Sequence, residues 1–187
     1  YEYIRYFHNN KPINTVTGRR NPTIVNNSWG FSATDNQILL TAIDEIKYRG
    51  VVTNLSGMTV AQKRTELQSK RIPVPSSTYG GSFNSDRLPD MPGKVASVDA
   101  DIEDAMGDGV IFVGAAGNDY WPIDYSGGND YDNIVVASGT PHYSNRGQTP
   151  GATETSNGNS ICVGAIANYT NDRCAYFSNK EERVDVW

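Results

Sequence analysis

Residues 109–118 read GVIFVGAAGN, and this stretch decides the fold. Four apolar residues, Val110 to Val113, follow a glycine stop and run into a turn of small residues that ends on asparagine. A continuous apolar run bounded by turn signals is the pattern of a strand buried on both faces of a parallel sheet. The Gly-Ala-Ala-Gly that follows removes side-chain bulk where the strand ends, so another backbone can approach closely. Asn118 then places an amide at the rim of the sheet, where open α/β sheets bind ligands. Two readings of that amide stay open: it donates to a developing oxyanion, or it bonds its own backbone in a turn.

The segments on either side alternate helical and strand patterns, which predicts an α/β domain with a parallel sheet. Residues 2–8 read as the end of a helix, with Tyr3, Ile4 and Phe7 on one face, and residues 23–26 as a short strand. Ile38, Leu39, Ala42, Ile43 and Ile46 recur at helical spacing and predict an amphipathic helix over 35–48. Residues 51–54 are expected to be extended, and 60–70 helical behind a Thr59 cap. The Pro-, Ser- and Gly-rich segment 72–93 reads as a long surface loop. A helix over 95–106 carries Val95, Val98, Ile102 and Met106 on one face and Asp99, Asp101, Glu103 and Asp104 on the other, the mark of a solvated acidic face. Residues 133–138 read as a strand and 139–158 as loop. The segments 160–167 and 173–178 read as a closing hairpin.

Composition excludes several classes. At 187 residues the chain is long enough for one domain with a substantial core. A net charge of −5, with no basic run longer than Arg19-Arg20, gives nucleic-acid binding no electrostatic support. No segment has the apolar length of a transmembrane helix, so no membrane partner is expected. The chain opens on Tyr1 rather than Met, so a targeting segment could lie upstream and the compartment stays unknown. Cys162 and Cys174 flank the closing hairpin, and two readings stand, a disulfide or two reduced buried thiols acting as small hydrophobes. No metal-ligand spacing is present, and no cofactor is expected. Asp119, Asp124, Asn129, Asp130 and Asp132 crowd one glycine-containing loop, which reads as a polar turn region or, alternatively, a calcium site.

Three blocks in order carry a family resemblance: TIVNNSWG at 23–30, GVIFVGAAGN at 109–118, and NSICVGAIANYTNDRCAYFSNKEERVDVW at 159–187. Together they resemble subtilisin-like serine peptidases (subtilases). The resemblance covers 22–31 and 94–187 well and leaves 32–93 as an atypical insertion. It implies a three-layer α/β fold with a mainly parallel central sheet flanked by helices, incomplete in this chain. It also implies an oxyanion-hole role for Asn118, whose amide would donate to the tetrahedral intermediate. Ser28, Trp29 and Gly30 fall where the family's backbone pairs with an extended polypeptide substrate, although Trp29 replaces a frequent leucine. Ala115, Ala116 and Gly117 fall on the wall of the primary specificity pocket.

The departures matter as much. The family's acid motif, its H-G-T and its G-T-S-x-A-x-P are all missing from this chain. His8 reads as a surface or capping histidine at a helix end, and His142 lies in what reads as a polar loop. A triad assembled from His142, Ser144 and a nearby aspartate is disfavoured. Without nucleophile and base the chain is expected to be inert by itself. Its ends interrupt elements, so the expectation is the central part of one longer domain whose remaining chain supplies the triad, and which would not fold stably alone. A non-catalytic scaffold that keeps the fold is the alternative. NNSWG, the Asn- and Tyr-rich composition and the insertion resemble subtilase-related proteins of large tailed phages, which implies a virion or virion-processing role; the compartment stays unknown, with secretion and association with a virion as the leading options.

Overall fold

The computed structural model describes residues 1–32, 37–74, 86–147, 149, 160–167 and 174–187. Its centre is a parallel sheet of three strands, β1 (Thr23–Asn27), β6 (Val110–Ala115) and β9 (Ser160–Val163), in the order β1-β6-β9. The Val-Asp-Val segment adds a parallel bridge between Val163 and Val186 on the far side of β9. Side chains of β6 alternate between buried and half-buried. The strand therefore has one deeply packed face and one partly open face, rather than the two equally buried faces its apolar run suggests.

Two helices cover the packed face. Helix α3 (Ala96–Gly107) places Ile102, Ala105 and Met106 against Val110 and Phe112 of β6. Helix α1 (Glu2–Asn9) adds Tyr1 and Ile4 to the same cluster and ties to α3 through Arg5, which pairs with Asp104 and Asp108. His8 is buried, in contrast to the surface position read from the sequence. Its Nδ1 lies 2.9 Å from the Thr23 hydroxyl, and this contact joins the end of α1 to the start of β1.

A second, antiparallel sheet was not foreseen. It runs β4-β3-β7-β8 and is built from two hairpins far apart in sequence: β3 (Ile43–Tyr48) with β4 (Val51–Asn54), and β7 (Ile134–Ala137) with β8 (Thr140–Tyr143). Each hairpin closes on two residues with positive φ, Arg49-Gly50 and Ser138-Gly139, as tight hairpin turns require.

The helix expected over 35–48 is thus replaced by a single 3₁₀ turn, Leu40–Ala42, followed by β3. The error has a physical cause. The register of β3 against β7 shifts between Ile43 and Glu45, so Ile43 and Ile46 are both buried at a spacing of three, which imitates a helix. Buried Lys63, from α2 (Val60–Ser69), donates its ammonium to the carbonyls of Thr41 and Ile43, at 3.1 and 2.5 Å, beside that irregularity. Helix α2 itself starts with a full capping box between Thr59 and Gln62.

Two further readings change. The start of the segment read as loop over 139–158 is instead a strand, β8 (Thr140–Tyr143), which carries His142. The segment 72–93 is not purely a surface loop: Ile72, Leu88 and Met91 are buried core, and β5 (Pro92–Gly93) pairs with β2 (Phe31–Ser32). The middle of that segment, 75–85, lies outside the described residues. The turn of the closing hairpin, 168–173, lies outside them too, but its sides meet at an antiparallel bridge between Ile166 and Cys174. Both cysteines are free thiols. Cys162 is buried beside Thr149 and Cys174 is exposed, so the pair is neither a disulfide nor two buried thiols.

Candidate active site

The carboxyl ends of β1, β6 and β9 open onto one cavity of about 290 Å³. Its wall is Asn26 and Ser28 from the end of β1, residues 113–118 from the end of β6, residues 163–165 from the end of β9, and Ser178. Five residues singled out from the sequence, Ser28, Ala115, Ala116, Gly117 and Asn118, meet here. Trp29 and Gly30 follow Ser28 outside the wall. Trp29 is 42% exposed, with its ring edge-on to Phe31 at 5.4 Å and tilted against Tyr1 at 6.4 Å.

The local sequence makes this opening. Gly114 is paired with Asn27 on one side and Cys162 on the other, and a Cβ there would collide with the Thr149 methyl group. Thr149 is held in place by donating to Ala115 O at 2.9 Å and by a contact of 3.2 Å with the Cys162 sulfur. Ala116 N donates to Val163 O at 2.9 Å, which keeps β6 and β9 in step to the end of the sheet. Gly117 then turns the chain with φ +108°, a conformation that side chains resist. Asn118 emerges exposed, and its side-chain amide makes no hydrogen bond among the described residues. Asn27, opposite Gly114, is buried with its Nδ2 unpartnered among the described residues.

The sequence reading missed the residue that holds this loop. Asn179 is fully buried; its Oδ1 accepts from Trp121 N at 2.8 Å and Asp119 N at 3.2 Å, and its Nδ2 donates to Ala116 O at 2.9 Å. Its backbone N donates to Gly117 O at 2.9 Å. One side chain thus templates the backbone on both sides of Asn118. Ser178, also buried, accepts from Ala165 N at 3.0 Å and donates to Asn179 O at 2.9 Å, stitching the end of β9 to the same turn. The signal available was the polar pair Ser178-Asn179 directly after the aromatic Phe177, but its partners lie some 60 residues away.

Among the described residues, Asp119 carries the strongly perturbed carboxyl near the cavity. Burial pushes it up to about 6, the Asp90 carboxylate adds to the rise, and a hydrogen bond from Asn118 N–H opposes it.

The acidic loop beyond it spends its carboxylates on neighbours. Asp124 is buried, over Gly128, and accepts from Tyr125 N and Asp130 N at 2.8 and 2.9 Å. Asp130 takes a two-pronged contact from Arg49, at 2.7 and 2.8 Å, which holds its carboxyl below the usual range. Asp132 pairs with Arg146. Among the described residues no group of three or more His, Cys, Asp or Glu is arranged to hold a metal ion. Ser144 is fully buried and bonds Asn133 O and Asn145 Oδ1, and His142 sits two residues before it, at the end of the same hairpin.

A parallel sheet packed against helices, with its strand ends around one small-walled cavity, is consistent with the α/β fold of a subtilisin-like protein. The model of the subtilase family, Peptidase_S8, matches residues 7–187, and the chain belongs to that family. It thereby carries the domain type of a serine peptidase. No curated protein and no solved structure matches it.

Proposed function

We propose that the chain is the central part of a subtilisin-like serine endopeptidase domain, hydrolysing peptide bonds through an acyl-enzyme. Asn118 is the oxyanion donor in this reading. The backbone of Ser28, Trp29 and Gly30 pairs with the extended polypeptide substrate as an added strand, and Ala115, Ala116 and Gly117 leave room for a substrate side chain. The observation that carries the reading is the exposed Asn118 amide, without a hydrogen bond among the described residues, at the mouth of the cavity where three parallel strands end. Asn179 and Ser178 are its positioning residues, because they fix the backbone from which Asn118 projects.

The nucleophile, base and acid come from the remainder of the parent polypeptide. Neither of the chain's two histidines lines the cavity: His8 is buried against Thr23, and His142 lies on β8. The same observation favours a second reading, a scaffold protein that keeps the fold without a triad.

Labelling of the full parent polypeptide by a serine-directed fluorophosphonate separates the two. The peptidase reading expects a covalent adduct, and expects Asn118→Ala to lower kcat by about 100- to 1,000-fold with KM little changed. A folded parent that takes no label sinks the peptidase reading and leaves the scaffold.

A further inference from the structure

The antiparallel sheet has two faces of opposite character. One belongs to the core, where the cross-strand partners Ile46 and Val135 are fully buried. Side chains alternate along a strand, so the residues on either side of these two point the other way. On that outer face the register sets Lys47 beside Ile134 and Ile134 beside Tyr143. In the next row it sets Glu45 beside Val136 and Val136 beside Pro141. Ile134 and Val136 are half-buried and belong to neither hydrophobic cluster, while Tyr143 and Pro141 are exposed. Lys47 and Glu45 are half-buried too, yet neither side chain makes an ion pair or hydrogen bond among the described residues. None of these six residues lines the candidate active site.

We propose that this face binds a second copy of the chain, outer face against outer face, about a two-fold axis. Charge and order select the partner. An axis lying across the strands, midway between the two rows, sets each row against the other row of the second copy. Lys47 then meets Glu45 of the second copy, and Glu45 meets Lys47 of the second copy. Two charges that have no partner within one chain thereby gain one across the axis. The same operation lays Ile134 on Val136 and Tyr143 on Pro141, so apolar groups meet apolar groups. The Arg146 guanidinium, over the Tyr143 ring at 3.3 Å, is already paired with Asp132 and adds no net charge. Packed sheets lie about 10 Å apart with their strands turned by about 30°, a gap that the long Lys and Glu side chains can span. The patch is small, which puts the dimer in the weak class that buries less than about 1,200 Å².

Sedimentation of the full polypeptide that carries this chain, from micromolar to millimolar concentration, tests the face without reference to peptidase activity. The average mass should climb toward that of two copies, and added salt should weaken the climb. Glu45→Lys and Lys47→Glu each set like charges against one another across the axis, and each should weaken association at least tenfold. The double variant Glu45→Lys/Lys47→Glu restores opposite charges and should recover most of the lost association. That recovery separates a lost ion pair from general damage to the sheet. A polypeptide that stays monomeric throughout the series would overturn the proposal. So would association that ignores both single reversals, or a double variant no stronger than either single one.

Discussion

Replacing Asp119 by asparagine should stabilise the protein at neutral pH and leave it almost unchanged in acid. The Asp119 carboxyl stands at about 6 in the folded protein against 3.8 in its unperturbed state, chiefly through burial and secondarily through Asp90. The folded state therefore holds a proton that the unfolded chain releases between these values, so stability falls as pH rises through that window. Below about 3.8 both states are protonated and the penalty is absent; above about 6 it is complete. A shift of this size corresponds to roughly 3 kcal/mol, and the partial exposure of the group to solvent cuts this to about 1–2 kcal/mol. Asparagine keeps an oxygen to accept from Asn118 N–H but carries no charge. Urea unfolding of the folded parent polypeptide between pH 4 and 8 should give equal midpoints at the acid end. The variant should then gain 1–2 kcal/mol by pH 7–8. Asp90→Asn should produce a smaller gain in the same window. A variant that is neutral or destabilised at pH 8, or whose difference from the parent does not change with pH, refutes the argument.

Gly114→Ala should cost about 1–3 kcal/mol in chemical unfolding because its methyl group meets that of Thr149; Thr149→Ser in the same chain should recover much of the loss, and additive losses would contradict the steric account. Asn179→Ala strands two backbone N–H groups and a carbonyl, and should cost about 2–4 kcal/mol. In an active parent it should also lower kcat more than it raises KM. Lys63→Met removes the donor to the carbonyls of Thr41 and of buried Ile43, and should cost about 1–3 kcal/mol by thermal or urea unfolding.

What the sequence disclosed and what it concealed divide along physical lines. The stretch ending at Asn118 was legible because its signals are local: an apolar run, a glycine stop, and small residues where backbones crowd together. Thr59 announced α2 for the same reason, since an N-cap is read beside the helix it starts. The strand Ile43–Tyr48 was misread because a register shift placed its two buried isoleucines at a helical interval. Asn179 was invisible as a loop template because a buried amide declares itself only through its partners, and those lie across the fold. His8 was misjudged for a similar reason, its burial coming from Thr23 and the backbone near Gly109 rather than from its own helix.

The antiparallel sheet has a consequence for how the molecule comes apart. Its two hairpins bracket α3 and β6 in the chain, and its Ile43, Ile46 and Val135 share a single hydrophobic cluster with Trp121, Cys162 and Ala116, the last of which lines the cavity. Peeling the β3–β7 pair away would expose the underside of the loop that presents Asn118 and release the tether on both flanks of β6. Local opening of the site and loss of the added sheet are therefore expected to be coupled. Amides of Ile46 and Ala116 should then exchange with solvent at a common opening free energy.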